Sequence, residues 1–223
     1  MTSDSSLRDE TGRSAPDDTI NIVPGLVMAA GFSTRFGDKD KRIAGFRQNG
    51  SSTGLLSTTL NNVLPAFIDA DGQCCLAVVL RPEDSAEALG VPPQCRIIHA
   101  PNAAAGLGAS IADALTVIAE NNYWPSAHAL ALILGDMPEL RAETITDLTQ
   151  QISKSTIIRP YFNGKPGHPV LFGRTFWTQL SKNIHGEGAR QIIKNNQQAF
   201  KAVEVSDPGV LFDIDTPDQL SRA

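Results

Sequence analysis

LVMAAGFSTRFGDKDK, residues 26–41, passes from an apolar run into small residues and then into a basic loop. The run is short and continuously apolar, which predicts a buried strand over residues 21–29. Continuous rather than alternating apolar character is typical of strands in a parallel sheet that helices cover on both faces. Because ligands of such sheets bind beyond the carboxyl ends of the strands, the basic loop is a candidate ligand site.

The remainder of the chain alternates strand patterns with helix patterns. Apolar runs over residues 75–80 and 129–134 each end in a turn sequence and predict two further buried strands. Further strands are predicted at residues 96–99, 156–160, 170–172 and 202–205, and helices at residues 55–68, 110–121, 142–153, 174–180 and 189–195. This alternation predicts an α/β fold: a three-layer α/β/α Rossmann-like sandwich with a mostly parallel sheet, in one domain over residues 21–223.

Composition and charge favour a small-molecule partner. The chain has 223 residues, is 41% hydrophobic and has a formal net charge of −5, so we expect neither a nucleic-acid partner nor a membrane partner. No run approaches the ~18 apolar residues of a membrane span. The three cysteines, two of them adjacent, fit no disulfide framework or zinc site and predict a reduced, cytoplasmic protein. Residues 1–20 predict a disordered polar tail, and residues 45–54 a flexible surface loop.

The basic loop matches neither of two common phosphate fingerprints. The P-loop requires a lysine directly after its second glycine, and the dinucleotide fingerprint requires a glycine at position 33; the sequence has neither. Small residues at Ala29, Ala30 and Gly31 nevertheless let a ligand approach the backbone. Arg35 and Lys41 can bind phosphate oxygens, the first as a planar fork and the second as a point charge. From composition alone, a solvated basic turn is the alternative.

The pattern A-A-G-x-S-x-R-x-G followed by a lysine resembles the signature loop of nucleotidyltransferases. It is similar in particular to the molybdenum cofactor cytidylyltransferases and the related molybdopterin nucleotidyltransferases. The resemblance implies a fold of the nucleotide-diphospho-sugar transferase type, with the loop wrapped around a nucleoside triphosphate. It implies that residues 29–31 and Ser33 bind the nucleotide, and that Arg35 and Lys41 contact its phosphates and act in catalysis.

A second glycine-containing segment, Gly106-Leu-Gly-Ala-Ser110, is similar to the G-x-G-x-S segment of that family. The resemblance implies that Gly106, Gly108 and Ser110 bind the nucleotide. Taken alone, the segment also fits a tight turn before a helix, with Ser110 as the N-cap and Asp113 close to a capping box.

Two acidic segments follow strand-like runs, Leu134-Gly-Asp-Met-Pro138 and Asp213-Ile-Asp-Thr-Pro217. They resemble the L-x-D-x-P and D-I-D-T-P motifs of the family, which implies a catalytic, metal-binding Asp136 and a second metal-binding carboxylate at Asp215. Asp213 is a weaker candidate. The implied cofactor is Mg²⁺, which prefers carboxylate and phosphate oxygens. The alternatives are a turn before Pro138 and a cap for a short C-terminal helix.

Two further segments point to the second substrate. Gly167-His-Pro169 resembles the G-H-P segment of the family, and Gly186-Glu-Gly-Ala-Arg190 matches a G-D-x-G-A-R type of segment in part, with spacing one residue shorter. The resemblance implies that His168, Pro169 and Arg190 bind the acceptor. A structural hydrogen-bonding role for His168 and an ordinary helix start near Arg190 are the alternatives.

The resemblance implies Mg-dependent transfer of CMP from CTP to molybdopterin, giving the cytosine dinucleotide cofactor and pyrophosphate. A molybdoenzyme or its chaperone is then a possible recipient of the product. Lys41 follows Gly37 at a longer interval than is usual in cytidylyltransferases, and the Asp40-Lys41 pair resembles the guanylyltransferase branch. Use of GTP or of another phosphorylated acceptor is therefore one alternative, and a non-catalytic, cofactor-binding chaperone is the other.

Overall fold

The computed structural model describes residues 22–32, 36–37, 40–48, 50–182 and 189–222. The predictions for residues 1–20, Ser33, Arg35 and the segment 186–188 lie outside these ranges. The strands are β1 (Gly25–Met28), β2 (Gly45–Gln48), β3 (Ser51–Gly54), β4 (Leu76–Leu80), β5 (Arg96–His99), β6 (Ala129–Leu134), β7 (Ile157–Phe162), β8 (Lys165–Pro166), β9 (Val170–Gly173) and β10 (Phe200–Glu204). The helices are α1 (Leu55–Val63), α2 (Leu107–Glu120), α3 (Ala142–Thr149), α4 (Trp177–Lys182), α5 (Ala189–Asn195) and α6 (Pro217–Arg222).

The main sheet has the strand order β10-β7-β9-β6-β1-β4-β5, and β8 pairs with β7. Strand β1 lies between β4 and β6 and is parallel to both. Strand β9 runs antiparallel to β6 and β7, so the sheet is mixed but mostly parallel, as predicted. The chain leaves β1 toward β4 and β5 and later returns to β6 on the other side of β1. This reversal creates a topological switch point, where such sheets bind ligands.

Helices cover both faces of the sheet, which confirms the three-layer prediction. Leu26 and Met28 of β1 belong to one apolar cluster with residues of α2, α4 and α5. Val27 and Ala29, which point to the opposite face, belong to a second cluster with residues of α1 and α3. The strand is therefore apolar at every position because it has no solvent-facing side.

Residues 45–54 form a hairpin, so the prediction of a flexible surface loop is wrong. Strands β2 and β3 pair antiparallel, with Gly45 opposite Gly54 and Phe46 opposite Thr53. Of the hairpin residues, Phe46 is buried, against Leu55 and Ile214. The other positions are polar or exposed, and this gave the segment the composition of a loop.

Helix α2 begins three residues before its predicted start. Gly106 is its N-cap, with a φ of 110°, a conformation that L side chains rarely adopt. Ser110 lies inside the helix, where its hydroxyl donates to the Gly106 carbonyl at 3.4 Å. Asp113 instead accepts hydrogen bonds from the backbone and side-chain nitrogens of Asn102, each at 2.8 Å. The predicted Ser110 cap and capping box are therefore wrong, because the glycine turn starts the helix earlier.

In the described part of the chain, no helix is long and apolar enough to cross a membrane. Cys74, Cys75 and Cys95 are free thiols. Burial is the main cause that raises the pKa of Cys95 to about 12 and that of Cys75 to about 11. These two thiols therefore stay protonated near neutral pH. They are unreactive there because the thiolate is the reactive form.

Candidate functional site

A cavity of about 330 Å³ opens at the carboxyl ends of β1 and β6, at the switch point of the sheet. It brings together seven of the residues predicted to bind nucleotide or metal: Ala29, Ala30, Gly31, Lys41, Gly106, Ser110 and Asp136. Of the other predicted nucleotide-binding residues, Gly108 lines a neighbouring cavity, and Ser33 and Arg35 lie outside the described residues.

The walls of this first cavity depend on close backbone packing between β1 and β6. A Cβ atom at Gly135, directly after β6, would lie 3.2 Å from the carbonyl oxygen of Met28 and 3.2 Å from the Cβ of Ala29. A larger residue would push the end of β6 away from β1. Around Gly31 no atom of the described residues lies within 4 Å of the position of a Cβ atom, so these residues leave the backbone there open to a ligand.

Lys41 connects the end of β6 with the C-terminal segment. Its Nζ donates to Asp136 Oδ2 at 2.5 Å and to the carbonyl oxygen of Ile214 at 2.7 Å. Asp215 Oδ1 lies 3.7 Å from the same ammonium, and the Lys41 side chain is only 9% exposed. A short 3-10 helix, Lys41–Ile43, with Asp40 as its N-cap, places the lysine at this position. One cation thus faces two carboxylates that are distant in sequence.

The C-terminal segment is fixed to the β6 end by its backbone. The amide of Ile214 donates to the carbonyl oxygen of Asp136 at 3.1 Å, and the Ile214 side chain is buried. Asp213 lies on the same segment, and its pKa is raised by burial and then by the charges of Asp136 and Asp215. The carboxyl groups of Asp136, Asp213 and Asp215 are therefore near enough to interact electrostatically.

One oxygen of this carboxyl cluster fits a divalent cation. Asp136 Oδ1 is buried and has no hydrogen-bond partner among the described residues, and such a group is costly unless a ligand or ion satisfies it. The described ranges contain no group of three or more His, Cys, Asp or Glu side chains placed to hold a metal. A cation that takes part of its ligand shell from water or a bound phosphate, as Mg²⁺ does, is compatible with both observations.

Sequence reasoning missed Arg42, whose guanidinium lies against the end of β1. It donates to the carbonyl oxygen of Ala29 at 2.9 Å, to both oxygens of Asp84 at 2.5 and 2.8 Å, and to Asp40. Arg42 and Asp84 are each 6% exposed, so this is a buried, bidentate ion pair. The pair ties the end of β1 to the turn after β4. The only sequence signal was an acidic turn, Arg-Pro-Glu-Asp, directly after an apolar strand.

A second cavity of about 290 Å³ adjoins the first and shares Gly106, Leu107 and Leu134 with it. His168 and Arg190, both predicted to bind the acceptor, line this second cavity. Pro169, also predicted to bind the acceptor, follows His168 through a cis peptide bond. It is not among the residues that line the second cavity. Arg159 of β7 also lines the cavity, and sequence reasoning missed it because the residue lies within a strand pattern.

The second cavity is basic, and its histidine is neutral. Burial, followed by the charges of Arg159 and Arg190, lowers the pKa of His168 to about 4. Its Nδ1 atom is buried without a hydrogen-bond partner among the described residues. Burial also lowers the pKa of Arg159, and the charge of Arg190 acts in the same direction, although an arginine remains protonated near neutral pH.

Comparison with known proteins gives consistent matches over most of the chain. The family described as the MobA-like NTP transferase domain matches residues 25–201. The molybdenum cofactor cytidylyltransferase of Escherichia coli (strain K12) is 26% identical over 208 residues, 92% of this chain and 96% of the relative. The purine catabolism protein PucB of Bacillus subtilis (strain 168) is 28% identical over 212 residues, 87% and 92% of the two chains.

Solved structures show the same fold. Rv0371c from Mycobacterium tuberculosis H37Rv matches with a TM-score of 0.72 and 24% identity, covering 90% of this chain and 95% of the other. The complex of Rv0371c with manganese matches with a TM-score of 0.69 and 23% identity, covering 90% and 96%. At such identities the likeness is evidence for the shared architecture alone.

Proposed function

The chain belongs to the MobA-like NTP transferase family and is a nucleotidyltransferase, and we propose that it transfers CMP from CTP to molybdopterin with release of pyrophosphate. The observation that supports this most directly is the contact of Lys41 with Asp136, 2.5 Å apart, at the wall of the first cavity. The choice of CTP and molybdopterin rests on the likeness to the cytidylyltransferase of E. coli.

In this proposal the first cavity binds the nucleotide. Ala29, Ala30 and Gly31 let it approach the backbone, together with Ser33 of the same loop. The start of α2, with Gly106, Gly108 and Ser110, presents backbone N–H groups and the positive end of a helix of 14 residues, which favours phosphate oxygens.

Charge on the reacting phosphates is balanced by Lys41, by Arg35 and by a divalent cation. Asp136 and Asp215 would hold this ion, which supplies positive charge to the phosphate oxygens when bound. We propose Mg²⁺; the manganese complex of Rv0371c supports a divalent ion in a protein of the same fold. In this proposal Lys41, which contacts both carboxylates, also stabilises the charge of the transition state.

The acceptor would occupy the second cavity, next to His168, Pro169 and Arg190. A phosphate oxygen of the acceptor attacks the α-phosphorus of the nucleotide, and the bond from that phosphorus to the β-phosphate bridging oxygen breaks. Pyrophosphate leaves with the electron pair. A phosphate monoester is already largely ionised near neutral pH, so the step needs no general base. A neutral His168, with its pKa lowered to about 4, fits a binding role rather than proton abstraction.

Two other functions remain to be tested against this one. GTP, or a different phosphorylated acceptor, would use the same chemistry. The likeness to PucB, at 28% identity, supports this alternative because that relative is named for purine catabolism. A non-catalytic chaperone would bind nucleotide or cofactor and deliver it to a molybdoenzyme. The convergence of Asp136, Asp215 and Lys41 favours the enzyme, because a binder alone has little use for a cation between two carboxylates.

The test is product identification. The protein is incubated with Mg²⁺, molybdopterin and each of CTP, GTP, ATP and UTP, and pyrophosphate release is measured while mass spectrometry identifies the product. We expect the cytosine dinucleotide with CTP, with far slower release from the other nucleotides. Product from GTP alone would change the assigned nucleotide. Tight binding of nucleotide with no turnover of any phosphorylated pterin would favour the chaperone.

A further inference from the structure

Among the described residues, the two guanidinium groups of the second cavity have no carboxylate partner. Arg159 and Arg190 both line it, and within the described ranges neither forms an ion pair with Asp or Glu. Arg42 and Arg81, by contrast, both pair with Asp84, at 2.5 and 3.1 Å. In a chain of net charge −5, two unpaired cations at one cavity are a local excess of positive charge that favours an anion.

The hydrogen bonds of Arg159 leave its terminal nitrogens available. Its Nε donates to the carbonyl oxygen of Gly167 at 2.9 Å, which fixes the plane of the guanidinium beside His168. Its two Nη atoms have no hydrogen-bond partner among the described residues. A guanidinium held by one nitrogen, with its terminal fork open, has the geometry that binds two oxygens of a phosphate.

The neighbouring groups are consistent with an anion in this position. The charge of Arg190 lowers the pKa of Arg159, and both charges lower that of His168. The two guanidinium groups therefore repel each other in the free protein, and a bound anion would relieve the repulsion. His168 Nδ1 is also buried and unpartnered among the described residues.

The position of the cavity indicates which anion it would bind. It shares Gly106, Leu107 and Leu134 with the first cavity, so its ligand lies next to the bound nucleotide. We propose that Arg159 and Arg190 form a subsite for the phosphate monoester of the acceptor, oriented toward the α-phosphate of the nucleotide. This inference rests on the proposed function, since it takes the acceptor to be a phosphate monoester.

The experiment measures phosphate binding separately from turnover. The first cavity is filled with Mg²⁺ and the α,β-methylene analogue of CTP, which cannot react, and inorganic phosphate is titrated by calorimetry. We expect Arg159→Gln and Arg190→Gln each to weaken phosphate binding by about tenfold or more, because each removes a charge-assisted contact. Arg159→Lys, which keeps the charge but not the fork, should give a smaller loss.

The control is Arg47→Gln, which removes an exposed cation of β2 outside both cavities and should leave phosphate binding unchanged. Affinity for the CTP analogue should be the same in all variants, which shows that the fold is intact. Where turnover is measurable, KM for the acceptor should rise about tenfold while KM for CTP stays constant.

Phosphate binding that is absent in the wild type, or equal in the wild type and both glutamine variants, would overturn the subsite. That result is separate from failure of the proposed function, which would appear as no nucleotidyl transfer to any phosphorylated pterin. Phosphate binding that depends on Arg159 and Arg190 would support the subsite even then.

Discussion

The two adjoining cavities differ in how their charges are balanced before any ligand arrives. In the first, Lys41 lies against Asp136 and near Asp215, at 2.5 and 3.7 Å. In the second, Arg159 and Arg190 face the same space without a carboxylate among the described residues. The first arrangement suits a ligand that arrives with its own cation, as a metal–nucleotide complex does. The second suits a ligand that arrives as a bare anion.

The largest effect should follow from removing the carboxylate of the first cavity. Asp136→Asn keeps the shape but loses the charge that faces Lys41 and the cation, so we expect turnover to fall by roughly a thousandfold, since a catalytic metal supplies several kcal/mol. Pyrophosphate release measures it. The exposed Asp147 of α3 gives the matched control, Asp147→Asn, with unchanged turnover. Full Mg²⁺-dependent release by Asp136→Asn would show that this assignment is wrong.

Removing the cation of the first cavity should have a smaller effect on turnover. Lys41→Met leaves Asp136 and Asp215 without their shared ammonium, and we expect a loss of about a hundredfold in turnover with a lesser loss in nucleotide affinity. The variant should also unfold more easily by about 2 kcal/mol, because a partly buried ion pair is broken.

The Lys41 variant also tests the charge balance directly. Mg²⁺ should raise the melting temperature of Lys41→Met more than that of the wild type, since the ion would replace the missing positive charge. An equal shift in both proteins would mean that lysine and metal do not share these carboxylates, and wild-type turnover in the variant would remove its catalytic role.

The buried Arg42–Asp84 pair should matter for stability more than for chemistry. Arg42→Met leaves Asp84 buried without its bidentate partner. We expect a loss of about 3 kcal/mol in the free energy of unfolding. Urea denaturation measures it. KM for the nucleotide should rise because the Ala29 carbonyl loses its donor, whereas turnover at saturating nucleotide should change little. A large fall in turnover with unchanged stability would place Arg42 in the reaction itself.

The expected effect in the second cavity depends on pH and concerns stability alone. His168 has a pKa of about 4 in the folded protein against an ordinary value of 6.5. Between these values the unfolded chain binds a proton that the folded chain does not, so stability falls as pH drops from 6.5 to 4, by at most about 3 kcal/mol. His168→Gln should lose less stability than the wild type between pH 7 and pH 4.5 in urea denaturation. Equal losses in both proteins would contradict the burial of a neutral histidine.

Much of the fold could be predicted because its signals are local. The strand at residues 129–134 is bounded by turn residues in the sequence, and β6 has those bounds. Its unbroken apolar character required helices on both sides of the sheet. The hairpin at residues 45–54 was missed because one buried side chain, Phe46, determines its packing, and a single apolar residue gives no periodicity.

The candidate site could be predicted only in part, because several of its contacts are made by the backbone. Lys41 and Asp136 could be named from their segments, but nothing in the sequence indicates that the Ile214 carbonyl accepts from Lys41. Arg159 occupies a strand position like its neighbours, and its partner is the carbonyl of Gly167. Such pairings depend on strand register and loop path, which sequence periodicity does not encode.

The segment that connects the two cavities limits where the chain can change in length. The carbonyl of Val210 accepts from the amide of His168 at 2.8 Å, and four residues later Ile214 bonds to Asp136 and Lys41. Insertion of one residue between these anchors would displace one of them. We therefore expect natural variants and engineered libraries to accept insertions at the tip of the β2–β3 hairpin. The segment 210–214 should keep its length even where its residues are substituted.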